Sequence, residues 1–243
     1  MRLLNTGPGN VYFNMALDEA IFLCHRKSLV PSTIRFYGWD KPAITFGYFQ
    51  HFNKNRSIFG ELDLPSVRRM TGGGTVLHCH EITFSIICLY NEVSQGGVRQ
   101  SYRKISSAVA AGLKELGLEV CISETGFPGA QFCFSTIQPG DVVIKNRKLA
   151  GGAQKRSSGV LLHQGSILLE QNWDFARFSG AGISLSEAAG KKIMFDEVEE
   201  YILRGFREEF DIILEEGQLV EQEITLANKL IEKYKSPEWN KRY

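Results

Sequence analysis

The chain reads as an α+β protein built on a mixed or antiparallel β-sheet flanked by helices, with a small helical part at its C-terminal end. Three observations predict this. Runs rich in β-branched and aromatic residues, the composition of half-buried strands, dominate the middle of the chain. Helical periodicity sits at both ends. After Asn172 the strand signal gives way to amphipathic helix. That distribution favours an α+β layer arrangement over alternating βαβ units.

Asn14 to Lys27 is predicted helical: Phe13, Leu17, Ala20, Ile21 and Cys24 fall on one stripe, and Asn14 is a fitting N-cap. STIRFYGW and AITFGYF follow as strands, split by Asp40, Lys41 and Pro42. VRRM leads into the glycine run of TGGG, and TVLHCHEITFSIICLY is one long strand signal, bent near Glu81. Ser101 to Leu116 is an amphipathic helix with Ile105, Val109, Leu113 and Leu116 in line, and LEVCISE is a strand. Glu124 to Gly140 has no periodicity and reads as a loop. DVVI and RKLAG form a hairpin whose turn uses Asn146, and GVLLHQGSILLE is a further strand. Two helices close the chain, one marked by Phe195, Val198, Ile202, Phe206 and Phe210, the other by Ile224, Ala227, Leu230 and Tyr234.

The chain has 243 residues, 43% of them hydrophobic, enough for an ample core. Its net charge of +1 gives no push toward nucleic acid or a membrane surface as main partner. No apolar run approaches the roughly 18 residues of a membrane span, and the opening MRLLNTGPG lacks the pattern of a secretory signal. The five cysteines are an odd number without a CxxC pair, which argues for a reducing compartment, the cytoplasm, and against a disulfide frame or a thiolate zinc site.

Two stretches carry chemistry. In RRMTGGGTVLH, Gly72, Gly73 and Gly74 permit positive φ and let a ligand press against bare amides, with Arg68 and Arg69 adding charge beside them. A tight turn with solvated arginines explains the same residues. No Gly-Lys-Ser/Thr closes the run, so it is not a Walker loop. His78 and His80 alternate in a strand and would share a face toward one metal, but no third ligand is evident. The plainer expectation is one histidine, His78, at a site and the other packed or solvated.

The second stretch is QFCFSTIQPGDVVIKNRKLAGGAQKR. Cys24, Cys88 and Cys121 fall in apolar helix or strand patterns and read as packing residues, and Cys79 is ambiguous. Cys133 alone lies in a loop of small and polar residues, and Lys148 follows it by 15 residues. A nearby ammonium favours the thiolate that attacks an acyl carbon. Judged on chemistry alone, Cys133 as a filler and Lys148 as a surface charge is the plainer reading.

A resemblance changes that balance. NMALDEA, TIRFYGW, ITFGYFQ, RRMTGGGTVLH, ITFSI, RKLAGGAQKR, GSILL and SPEWNKRY resemble the biotin/lipoate ligase and lipoyl-transferase superfamily over nearly the whole chain. Within it the chain looks most like the octanoyl-[acyl carrier protein]:protein N-octanoyltransferases, on three features: the Cys-Phe pair before the hairpin, the cysteine-to-lysine spacing and the EWNKRY ending. The resemblance implies a catalytic domain over residues 1–190 and a helical extension over 191–243 packed on it. It implies that Cys133 forms an acyl-thioester and that Lys148 lowers its pKa. It further implies that Arg69, Gly72, Gly73, Gly74, His78, Gly151, Gly152 and Ala153 bind substrate. The implied partners are an octanoyl-acyl carrier protein donor and a lipoyl-type acceptor, the glycine-cleavage H protein or the E2 lipoyl domain of a 2-oxoacid dehydrogenase. No cofactor or metal is implied.

Alternatives stay open. An ATP-dependent lipoate–protein ligase would need ATP and Mg²⁺ and no cysteine, and would hold phosphate with Arg69 and the glycine amides. An amidotransferase would move lipoyl or octanoyl groups between proteins, and a non-enzymatic binder of lipoylated domains would give the Cys133–Lys148 pair no purpose. TGGGT stands where the octanoyltransferase branch usually has TGGRA. His163-Gln164 stands where relatives often have Gln-His, which leaves any role for His163 open.

Overall fold

A computed structural model describes residues 1–52, 63–126, 133–171 and 182–242. Residues 127–132 of the loop predicted at Glu124 to Gly140, the segment 172–181 where the composition shifts, and Tyr243 lie outside the described residues. The described elements run β1 Arg2–Gly9, α1 Val11–Arg26, β2 Thr33–Trp39, β3 Ala43–Phe46, β4 Ser66–Arg68, β5 Val76–His78 and β6 Glu81–Leu89. Next come α2 Tyr90–Val93, α3 Val98–Glu115, β7 Cys121–Ile122, a 3₁₀ turn at Cys133–Ser135, β8 Val142–Ile144, β9 Arg147–Ser157 and β10 Val160–Leu168. The chain ends with α4 Leu185–Ala189, α5 Phe195–Phe210, β11 Glu215–Glu216, α6 Glu221–Lys235 and α7 Pro237–Asn240.

The main sheet is mixed, in the order β11-β1-β2-β6-β10-β9-β8-β7. β1 pairs in parallel with β2 and β11, and the remaining pairs are antiparallel. Its central strands β6 and β10 are buried on both faces, which is why they read as near-continuous apolar runs rather than as alternation. One face is covered by α3 and α5, whose Ile105, Val109, Ile202 and Phe206 join the core of Phe36, Phe84 and Ile86. The other is covered by α1 and α6, with Leu17, Ile21 and Ala227 against Ile87 and Leu162. The two C-terminal helices thus divide between opposite faces of the sheet. Two ion pairs tie α6 back to the N-terminal half, the buried Arg2 with Glu223 at 2.5 Å and the half-buried Lys233 with Glu19 at 2.6 Å. A second, three-stranded sheet in the order β4-β3-β5 lies beside the first.

Several expectations are corrected. The first helix starts at Val11, and its cap is Asn10, whose side chain accepts from the Phe13 amide at 2.9 Å. Asn14 is fully buried one turn in. It donates to the Gly9 and Gly38 carbonyls and accepts from Arg35, so its polarity holds neighbouring segments instead of a helix end. TVLHCHEITFSIICLY is two strands in two sheets, because the chain turns at Cys79 and His80 as it leaves the small sheet for the large one. LEVCISE yields only Cys121–Ile122, at the sheet edge, where Cys121 is exposed rather than packed. β1, broken in register between Asn5 and Pro8, was hidden by its glycines and proline.

Candidate functional site

The site is a cleft of about 490 Å³, counting its open mouth. It lies between β9 and β10 of the main sheet, the small sheet, the glycine turn and the Cys133–Ser135 turn. The volume falls in the range of small-molecule sites.

Lys145 and Asn146 both adopt positive φ, +48° and +59°, so the β8–β9 turn has the primed geometry that matches strand twist. The hairpin places Lys148 opposite Val143, beside a register shift at Val142 and Val143. Lys148 Nζ lies 2.7 Å from Asp141 Oδ2, 3.5 Å from Cys133 Sγ and 3.4 Å from the Thr136 carbonyl. Cys133 is itself pinned by its amide, which donates to the carbonyl of Thr75, directly after the glycine run, at 2.7 Å. Asp141 accepts two further hydrogen bonds, from the Gln138 amide at 2.7 Å and the Tyr102 hydroxyl at 2.6 Å, and that hydroxyl accepts from the Gly152 amide at 2.9 Å.

The electrostatics follow from that geometry. Burial opposes a charge on Lys148, but Cys133 and Asp141 together outweigh it, and the lysine pKa is raised. Lys148 is therefore an ammonium at neutral pH, directed at the thiol. Burial, reinforced by the neighbouring Asp141 carboxylate, raises Tyr102 well above its ordinary value and keeps it a neutral donor.

The glycine turn is built differently from a solvated anion cradle. Arg69 is buried and donates to the carbonyls of Gly72 and Gly74 and to both oxygens of Thr45. Gly73 sits at φ +84°, and a Cβ there would stand 2.8 Å from Arg69 Nη2, so the turn closes around the guanidinium only with glycine at that position. Burial draws the Arg69 pKa down to about 10, which leaves it charged at neutral pH, with Cys133 acting in the opposite sense. Arg68 is not solvated either. Its guanidinium is fully buried and binds the carbonyls of Gly47, Tyr48, Gln50, Trp239 and Asn240, stitching α7 to the small sheet.

His78 lines the cleft, buried, with Nε2 2.7 Å from Thr45 Oγ1, Nδ1 paired to Glu81, and its ring stacked 3.9 Å from that of Trp39. His80 is exposed beyond the end of β5, so the two histidines do not meet, and no metal-holding cluster occurs among the described residues. His163 and Gln164 alternate on β10. Gln164 faces the cleft and joins Thr71 to Asp18 at 2.7 Å each. His163 packs on Phe84 and Tyr102, and burial pulls its pKa down to about 3, so it is neutral. Gly72 and Gly74 serve here through their carbonyls, whereas Gly73, Gly151, Gly152 and Ala153 line the cleft.

Sequence reasoning missed Asp141, Tyr102, Trp39 and the Asp18–Gln164 network. For Asp141 a signal existed: an acid opening one arm of a hairpin is in reach of a lysine in the other arm. For Tyr102 none did, because it reaches the site from α3.

The lipoyl protein ligase A/B catalytic domain model matches residues 10–207. The chain belongs to that family. One of its relatives is the Octanoyltransferase LipM of Kyrpidia tusciae, 36% identical over 275 aligned positions that cover 99% of this chain and 98% of the relative. Among solved structures, a Thermoplasma acidophilum protein with bound lipoic acid superposes with a TM-score of 0.82 at 25% identity, over 100% of this chain and 99% of that one. A bi-partite lipoate protein ligase from the same organism, studied with its E2 lipoyl domain, gives 0.77 at 25% identity, covering 99% and 95%. The mixed sheet with helices on both faces is thus the lipoyl ligase catalytic fold.

Proposed function

We propose that the protein transfers an octanoyl group from acyl carrier protein to a lysine of a lipoyl-type acceptor, the glycine-cleavage H protein or an E2 lipoyl domain. A Cys133 thioester is the intermediate. The observation that carries this reading is the buried Lys148 ammonium 3.5 Å from Cys133 Sγ, a geometry that acyl transfer through sulfur needs and that adenylate chemistry does not. The LipM relative supports octanoyl as the acyl group. The structure solved with lipoic acid supports a medium-chain acyl ligand in this fold, and the one studied with an E2 lipoyl domain supports that class of acceptor.

In the first half-reaction the Cys133 thiolate adds to the donor's carbonyl carbon, and the carrier's thiolate departs as the carbonyl re-forms. In the second, a neutral acceptor amine attacks the acyl-enzyme, Cys133 leaves as thiolate beside Lys148, and the amine's surplus proton passes to solvent. The aliphatic chain lies among Met15, Trp39, Val76 and Phe134. Because the thioester already supplies the leaving group, the reading calls for neither ATP nor metal. A working thiol favours the reducing cytoplasm. No helix among the described residues is long and apolar enough to cross a membrane.

The test is intact mass after mixing the protein with octanoyl-acyl carrier protein without ATP. The expected result is a hydroxylamine-labile octanoyl adduct that is absent in Cys133→Ala and strongly reduced in Lys148→Ala. Acceptor modification that requires ATP and survives Cys133→Ala overturns the reading in favour of a ligase. Acylation only from an octanoylated H protein moves it to an amidotransferase.

A further inference from the structure

Ser166, on β10, is paired with Gly151 on β9 and with Thr83 on β6. Residues directly opposite across antiparallel strands project to the same face. At Gly151 that face is defined: a Cβ there would stand 2.7 Å from Lys148 Nζ and 2.8 Å from Asp141 Oδ1. The Ser166 side chain therefore rises on the side that carries the lysine ammonium, and Ser166 lines the same cleft as Cys133.

Its hydroxyl is sealed, and among the described residues Oγ has no hydrogen-bond partner. The neighbours do not supply one. Thr83 Oγ1 already accepts from Trp39 Nε1 and donates to Glu81 Oε1, each at 2.8 Å, and Gly151 has no side chain. Folded proteins leave few buried hydroxyls unpaired. One that lines a cleft beside a nucleophile is free to pair with a ligand's oxygen.

We propose that Ser166 Oγ donates a hydrogen bond to the acyl carbonyl oxygen and holds the oxyanion formed when Cys133 attacks. The assignment rests on the acyl-transfer reading above. As the Sγ–C bond forms, the carbonyl electron pair moves onto oxygen, where Ser166 stabilises it. As the pair returns, the C–S bond to the carrier breaks, and the departing thiolate is protonated by solvent. The same oxygen returns to Ser166 when the acceptor amine attacks. The hydroxyl thus serves both half-reactions from one strand position, turning about its Cα–Cβ bond to meet the oxygen.

The experiment compares two rates at Cys133: acylation by octanoyl-acyl carrier protein and alkylation by iodoacetamide, a displacement that builds no oxyanion. Ser166→Ala is expected to slow acylation roughly 100- to 1,000-fold and to leave alkylation unchanged. Ser166→Thr, which keeps the hydroxyl, is expected to recover most of the acylation rate, and Ser166→Gly serves if the alanine variant does not fold. Acylation within about threefold of the parent in Ser166→Ala overturns the assignment, as does a parallel fall in both rates that threonine does not rescue. An unmodified protein that takes up no octanoyl group overturns the acyl-transfer reading itself, an outcome visible before any variant is made.

Discussion

Asp141 Oδ2 stands 2.7 Å from Lys148 Nζ, with the two side chains 1% and 2% exposed. The pair sets the state in which the lysine meets Cys133. Burial alone would strip the ammonium of its proton, but Cys133 and this carboxylate together hold it there. Removing the acid while keeping its shape, Asp141→Asn, leaves the charge unpaired. Loss of one member of a buried pair costs about 3–5 kcal/mol, so the melting temperature falls by several degrees. Acyl transfer is expected to drop at least tenfold, since the lysine loses the anchor that aims it at sulfur. An unchanged melting curve with full activity rejects the role. For the parent, the lysine's folded pKa is raised, so its contribution to stability is complete below the ordinary lysine range. It is lost only as pH climbs through the raised value.

Glu199, on α5, gives a pH dependence of opposite origin. Burial, with Asp196 and Glu200 adding repulsion, raises its pKa to about 7, and the hydrogen bond from Asn5 at 2.7 Å only partly opposes this. The folded state therefore holds a proton that the unfolded state releases near the ordinary glutamate value. Stability falls as pH rises from that value through 7, by on the order of 2 kcal/mol. Glu199→Gln should flatten this slope and make the variant the more stable protein at pH 8. Parallel melting temperatures of parent and variant from pH 5 to 8 would count against it.

His163 acts in the acid range. With its pKa pulled down to about 3 by burial, the folded state resists protonation that the unfolded chain accepts near 6.5. The contribution is present above 6.5 and lost as pH falls toward 3, on the order of 4 kcal/mol over the whole span. His163→Gln removes this contribution. Acid titration followed by circular dichroism should then show a shallower loss of stability between those limits than in the parent.

Gly152→Ala tests the packing between β9 and β10 under the cleft. A Cβ there would meet His163 Nε2 at 2.5 Å and the Gln164 carbonyl at 2.7 Å, the latter backbone that cannot swing aside. The expected cost is about 1–3 kcal/mol of stability, with slower acylation because β9 carries Lys148 on the same strand. A stable, fully active variant would show that the strands can part without disturbing the lysine.

Much of the architecture was legible because period-2 and period-3.6 patterns report burial directly. The hairpin turn at Asn146, the helix at Phe195 and the strand of GVLLHQGSILLE all stand where their residues place them. Helix caps and sheet membership were not legible. Asn10 and Asn14 are the same residue type four positions apart, and only packing against Gly9, Gly38 and Arg35 assigns one to the cap and the other to the interior.

The same division runs through the site. The mixed α+β class, the fifteen-residue relation of Cys133 to Lys148 and the glycine turn are legible along the chain, because each rests on local pattern or on spacing. The folded chain sets what those residues meet. It turns Arg68 and Arg69 inward onto carbonyls, separates His78 from His80, sets Asp141 on the lysine, and places in the cleft a Ser166 hydroxyl that has no hydrogen-bond partner among the described residues. Charge and hydrogen-bond partners depend on distances across strands and between layers, and a linear pattern does not encode them.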